Sequence, residues 1–179
     1  MAENKAKEII DDDLYDDEDE DTQKDKYLTF TVGKEDYGLE IYHVTEIIGI
    51  QKITEVPDMP DYVKGVINLR GKVIPIMDVR KRFKFEERAY DDRTCIVVVN
   101  INDTSLGLVV DTVKEVSDIP EKNIEPPPDI AEGNRRFFIS GLGKVEEEVK
   151  ILLDAEKLLS KGELTKVNHS AHSAGLPGI

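Results

Sequence analysis

From Lys26 to about Lys161 the chain alternates short apolar runs with turn-forming residues, and the runs have the two-residue period of half-buried strands. Leu28, Phe30 and Val32 interleave with Tyr27, Thr29 and Thr31 in the first of them. Gly33-Lys34-Glu35-Asp36 reads as a turn leading into a strand over Tyr37 to Ile41. Two further runs, Val63 to Leu69 and Lys72 to Val79, meet around Arg70-Gly71. Pro75 lies inside the second and has no N–H for a ladder, so that strand is expected to be an edge strand or a bulged one. Thr94 to Ile101 is a nearly unbroken β-branched run that stops at Asn102-Asp103-Thr104-Ser105. Strands are also expected over Leu106 to Val110, Val113 to Ile119, Phe137 to Gly141 and Val149 to Leu153. Helix is limited to a turn or two at Val79 to Phe83 and Ala155 to Leu159, and Pro126-Pro127-Pro128 predicts a long extended connection.

The body also repeats itself. Gly38-Leu39-x-Ile41-x-x-Val44-x-Glu46-Ile47 returns as Gly107-Leu108-x-Val110-x-x-Val113-x-Glu115-Val116, 69 positions later. Gly65, Val73, Ile76, Met77, Asp78 and Lys81 return as Gly141, Val149, Leu152, Leu153, Asp154 and Lys157, 76 positions later. Two matches in the same order imply two copies of one all-β unit, over roughly 26–90 and 91–162. A unit of about 65 residues is marginal alone and gains by packing against its copy. Short strands and frequent turns predict small, partly open barrels that limit exposed edges by closure, with a groove between them where a partner could bind.

Charge separates the body from its ends. The whole chain carries −14, and residues 1–25 hold 12 acids against three lysines, leaving −5 for the rest. So charged a segment has little to bury, and 1–25 is expected to be a disordered acidic tail. Asp17, Asp19 and Asp21 have the opening spacing of a calcium loop, but Thr22 and Leu28 stand where its glycine and glutamate belong. The small, polar, glycine-rich 163–179 is expected to be a second disordered tail and holds His169 and His172. No run is long enough to span a bilayer and no signal-peptide pattern opens the chain, so a cytoplasmic protein without membrane insertion is expected. The lone Cys95 suits a reducing compartment, and the acidic balance argues against nucleic acid.

Reactive constellations are missing. His43 sits in a strand-like stretch with no histidine or cysteine near it in sequence, and Cys95 opens a β-branched run where cysteine acts as a small hydrophobe. Neither can build a zinc site alone. Ser140-Gly141-Leu142-Gly143-Lys144 faintly resembles a phosphate loop, but Val145 replaces the Mg²⁺-holding hydroxyl and Phe138 the leading glycine. No enzyme, metal or cofactor is expected. What remains is a surface: in Gly65 to Ile76, period 2 puts Asn68, Arg70 and Lys72 on one face and Ile67, Leu69 and Gly71 on the other. Arg70 is then either part of a solvated outer face or an arginine at a recognition site, where its five planar donors make a frequent hot spot.

The order of these motifs resembles the CheW family of chemotaxis coupling proteins. Phe30-Thr31-Val32-Gly33, Tyr37-Gly38-Leu39-Glu40-Ile41 and Val44-Thr45-Glu46-Ile47 carry the resemblance, followed by Gly65-Val66-Ile67-Asn68-Leu69-Arg70-Gly71 and Val73-Ile74-Pro75-Ile76-Met77-Asp78. Gly107-Leu108-Val109-Val110-Asp111, Ser140-Gly141-Leu142-Gly143 and Ile151-Leu152-Leu153-Asp154 complete it, over about 26–162. The resemblance implies a non-enzymatic adaptor of two SH3-like five-stranded β-barrels, monomeric when isolated, that links chemoreceptor tips to the histidine kinase CheA. It implies a receptor site of Arg70, Val44, Glu46, Asn68 and Gly65, with Glu46 placed to pair with Arg70, and offers Gly107, Cys95 and Val110 as kinase-binding candidates. A CheW-like regulatory domain of the CheA or CheV type is the nearest alternative. A small all-β ligand-binding domain is a more distant one.

Overall fold

The computed structural model describes residues 22–128 and 137–158. The acidic segment, the calcium-like aspartates, His169, His172 and the C-terminal tail fall outside the described residues, apart from 22–25. Strands and short helices follow in chain order: β1 (Lys26–Val32), β2 (Glu35–Glu40), β3 (Val44–Gly49), β4 (Val63–Leu69), β5 (Lys72–Asp78), α1 (Val79–Arg82) and β6 (Cys95–Ile101). Then come β7 (Thr104–Val110), β8 (Thr112–Asp118), β9 (Ile124–Glu125), β10 (Ile139–Val145), β11 (Glu148–Leu153) and α2 (Ala155–Leu158).

The strands form two sheets, ordered β8-β1-β2-β11-β10-β9 and β3-β6-β7-β5-β4. The repeat appears here strand for strand. β1 and β6, β2 and β7, and β3 and β8 lie 69 positions apart, and β4 and β10, β5 and β11, and the two helices lie 76 apart. The irregularities repeat as well. The β4–β5 bulge between Val63 and Gly65 matches the β10–β11 bulge between Ile139 and Gly141. Asp78 caps α1 by accepting from the N–H groups of Arg80 and Lys81, and Asp154 does the same for Glu156 and Lys157.

Neither sheet is one contiguous half of the chain. The six-stranded sheet takes β1 and β2 from the first sequence unit and β8 to β11 from the second; the five-stranded sheet takes β3, β4 and β5 from the first and β6 and β7 from the second. The 26–90 and 91–162 units therefore cross over. The crossing points are the two parallel pairings, Ile76 against Gly107 and Leu152 against Gly38. Glycine allows the close approach at both: a Cβ on Gly107 would lie 2.5 Å from Ile76 Cδ1, and one on Gly38 would lie 2.9 Å from Leu152 Cδ2.

Burial follows from this interlock. One apolar cluster draws on both sheets, with Phe30, Leu39, Val97, Leu106 and Leu108 in it, and is closed by Phe83, Phe138 and Leu158 from the helical ends. A second cluster, Ile67, Ile74, Ile76, Ile96, Val98 and Val109, fills the five-stranded barrel. β6 sends Val97, Val99 and Ile101 to the first and Ile96 and Val98 to the second, which is why its sequence is a continuous β-branched run. Arg80 braces the assembly. Its guanidinium donates to both Asp111 oxygens at 2.7 and 2.6 Å, and Asp111 also accepts from Gly33 N at 2.8 Å, so α1, the end of β7 and the β1–β2 turn are tied together.

Several expectations need correction. Pro75 is in neither an edge strand nor a bulge, because β5 lies between β7 and β4. Val66 opposite it exchanges both backbone hydrogen bonds with Thr54, so the Val66–Pro75 pair needs no bond across the β4–β5 ladder. The parallel ladder to β7 begins only at Ile76, so the missing N–H costs no bond there either. The segment Ser140 to Lys144 is strand, not loop. Its glycines allow close approach: a Cβ on Gly143 would meet Ile119 Cγ2 at 2.9 Å. His43 lies in a 3-10 turn, Ile41–His43, with its ring 4.0 Å from that of Tyr42.

Candidate functional site

The two-residue connection between β4 and β5 turns back between Leu69 and Lys72. Arg70 has φ +51° and Gly71 φ +84°, the double left-handed geometry of a type I′ hairpin, whose twist matches the strands it joins. Glycine is at home in that region, whereas an L-residue such as arginine carries a penalty of about 1–2 kcal/mol. Asn68 closes the turn by accepting from Gly71 N at 2.8 Å through its side-chain oxygen.

Arg70 is exposed, with 71% of its side chain open, and its guanidinium donates to Glu46, which is 27% open. Glu46 stands on β3, at the opposite edge of the same sheet from β4. The ion pair therefore bridges the two edges of the five-stranded barrel. A pair so exposed contributes at most about 1 kcal/mol to stability. That does not exceed the backbone penalty of holding arginine in the turn, so folding stability does not explain Arg70. Lys72 continues the polar face and donates to Ser105 at 2.9 Å.

The β3 strand was not legible as a strand in sequence, and it brings in residues that sequence reasoning missed. Val44, Glu46 and Ile48 are half-buried, Val44 against the shared core and Ile48 against the barrel core. The alternate positions face outward, and Ile47 is 44% exposed; Ile50, beyond the end of the strand, is 36% exposed. A bulge between Val44 and Glu46 turns the strand, and Thr45 fastens it by donating to Val98 O at 3.1 Å. Beside Asn68 a groove of about 360 Å³ runs between β4 and the Thr54–Pro57 segment, lined by Val56, Pro57, Val66 and Val73.

Arg70, Glu46 and Asn68 thus meet on one face, with Val44 behind Glu46 in the barrel wall. Gly65 is buried at φ +145°, and a Cβ there would lie 2.1 Å from Thr54 O, so it shapes backbone and presents no side chain. Of the kinase-binding candidates, Val110 and Gly107 are buried and Cys95 is half-buried. Val110 is 1% exposed within the shared core, and Gly107 is buried where β7 meets β5, because both lie on a strand covered on its two faces. Cys95, at the start of β6, is half-buried with its thiol donating to Arg93 O at 3.2 Å. Among the described residues no three histidine, cysteine or acidic side chains converge as a metal site would require. No helix among them is long and apolar enough to cross a membrane.

Against known proteins, a family model described as the CheW-like domain matches residues 26–163. The chain is similar to Chemotaxis protein CheW of Klebsiella aerogenes, with 39% identity over 153 residues, 86% of this chain and 92% of that protein. With Chemotaxis protein CheW of Treponema pallidum the identity is 33% over 144 residues, 78% of this chain and 85% of the other. Among solved structures, the scaffolding protein TtCheW from Thermoanaerobacter tengcongensis superposes with a TM-score of 0.72 at 35% identity, over 78% of this chain and 94% of that one. Chemotaxis protein CheV3 of Helicobacter pylori matches at 27% identity, but over only 44% of its own length.

Proposed function

The chain belongs to the CheW-like family, and from that premise we propose that it is a non-catalytic chemotaxis coupling adaptor, bridging chemoreceptor cytoplasmic tips and the regulatory domain of the histidine kinase CheA. The family's chemistry is recognition, and the polar face of the β4–β5 hairpin is the part of this molecule suited to it. We assign the receptor contact to Arg70, with Glu46 holding its guanidinium. The observation that carries this reading is the placement of Arg70: an exposed guanidinium at the tip of a closed turn, met by Glu46 from the opposite edge of the same sheet.

An array whose contacts form and exchange suits micromolar affinities, about −8 kcal/mol each. The kinase contact then falls to exposed positions away from Arg70, because Gly107 and Val110 are in the core.

The test is titration of the purified protein against a cognate receptor tip and against the CheA regulatory domain, separately. Saturable binding to both is expected, and Arg70→Glu should weaken the receptor arm alone. A folded sample that binds neither target would overturn the adaptor reading.

A further inference from the structure

Glu46 holds the guanidinium of Arg70, and the turn holds its backbone. Gly71 meets its second left-handed position at no cost, and a Cβ there would have nothing within 4 Å, so glycine is needed for φ alone. Arg70 has no such freedom. In the repeat, Glu146 occupies the equivalent tip of the β10–β11 hairpin at φ +57°, but Glu147 beside it is not left-handed as Gly71 is, and Lys144 stands where Asn68 stands and cannot accept a hydrogen bond. Lys144 pairs with Glu125 on β9 instead. The side-chain closure is found at the arginine tip and is lacking at the glutamate tip, although both carry a non-glycine residue in the same backbone region.

We infer that Asn68 is a positioning residue for the receptor site: its side-chain oxygen, bonded to Gly71 N, keeps the turn closed so that Arg70 is presented to the receptor in one orientation. The inference rests on the proposed role of Arg70. Asn68 itself need not touch the receptor. An arginine on an open turn would sample many orientations, and affinity falls in proportion to the fraction of molecules in the competent one.

The experiment measures binding of the full chain to a cognate receptor tip, with hydrogen exchange at the Gly71 amide as a second readout. Asn68→Ala should speed Gly71 exchange and weaken binding roughly fivefold, the effect of reducing the competent fraction to a fifth. Asn68→Asp, which keeps an acceptor oxygen, should retain both protection and affinity. In an Arg70→Ala background, Asn68→Ala should have no further effect, since a positioning residue acts only through its client. Loss of affinity with Asn68→Asp equal to that with Asn68→Ala would overturn the inference in favour of direct contact, as would additivity with Arg70→Ala. Faster exchange with unchanged affinity would overturn it too. Unchanged binding by Arg70→Ala alone would instead sink the receptor-site assignment on which the inference rests.

Discussion

The β4–β5 and β10–β11 hairpins are one frame used twice with different tips: both turn residues are left-handed in the first, only Glu146 in the second. They share a bulge, a glycine two residues after its start, a parallel neighbour and a helix capped by an aspartate. Their chemistry is opposite. Asn68-Leu69-Arg70-Gly71-Lys72 carries +2, whereas Lys144-Val145-Glu146-Glu147-Glu148 carries −2. Glu46 on β3, the partner of Arg70, has Glu115 on β8 as its repeat mate, and the arginine tip forms an ion pair. Duplication preserved what packing requires and left the solvent-facing tips free to diverge. The site is therefore a property of a few tip residues set on a frame that either half of the chain can build.

The largest effects should come from breaking the frame unequally. Gly65→Ala places a Cβ on a backbone carbonyl and forces an alanine to φ +145°, so a loss of about 3 kcal/mol or more is expected. Gly141→Ala meets Ile124 Cγ2 at 2.7 Å, the movable end of a side chain, and should cost about 1–2 kcal/mol. Urea unfolding of both variants tests the ordering; equal losses would mean that the two bulges are more alike than their contacts suggest.

Function should divide the tips more sharply than stability does. Arg70→Glu is expected to lower receptor affinity about thirtyfold, the loss of a hot spot of roughly 2 kcal/mol, while urea unfolding stays within about 0.5 kcal/mol of the parent. Glu146→Arg should leave receptor affinity within about twofold of the parent. A matching loss at Glu146 in a receptor titration would show that both tips contact the receptor.

The interiors differ in a way that pH can read. Lys150 of β11 is buried and donates to Asp36 and Glu148 at 2.7 Å, whereas its repeat mate on β5 is the buried Ile74. Burial alone would raise the Asp36 carboxyl, but bonds from Lys114, Lys150 and Thr31 outweigh it and hold it down at about 2, from 3.8. A carboxyl lowered in the folded state contributes stability that is fully present above its unfolded value, 3.8, and lost as pH falls through about 2. Lys150→Met removes one of the two lysines, lets the carboxyl rise toward its ordinary value and should make the acid loss of stability shallower between those limits. Urea midpoints measured across that range check it, and an unchanged slope would exclude Asp36 as the group responsible.

The smallest expected effect concerns turn strain. Glu146→Gly should stabilise the protein by about 1 kcal/mol by relieving a left-handed glutamate. Arg70→Gly should stabilise it by less, because the pair with Glu46 is lost, while receptor binding falls. Calorimetric melting of the two variants compares them directly.

Much of this was readable along the chain, and the exceptions have physical causes. Period 2 located β1, a continuous β-branched run located β6, and the repeat linked Gly38 with Gly107 and Gly65 with Gly141. β3 escaped because it is a bulged edge strand that turns the polar Glu46 inward and the apolar Ile47 outward, so its burial alternates while its apolar residues do not. β10 was expected to end at Gly141 but runs on to Val145, with Gly141 and Gly143 inside it against close neighbours, Ile124 and Ile119. Pro75 read as an edge residue because its neighbour's hydrogen-bonding direction is invisible in sequence. At the site, Arg70, Asn68 and Glu46 were identifiable by motif. Ile47 was missed with its strand, and Gly107 and Val110 were named without knowing that their strand is covered on both faces.

By itself, then, the sequence determined the all-β composition, the two copies, the turn positions and the Arg70 motif, because each depends on local periodicity or on residue chemistry. Tertiary structure alone decided that the copies cross over to build each sheet, that Glu46 reaches Arg70 from the far edge, and which apolar residues stay exposed. Those outcomes depend on contacts between residues far apart in the chain, such as Ile76 with Gly107 and Leu152 with Gly38, and no local pattern encodes which copy a strand will choose as its partner.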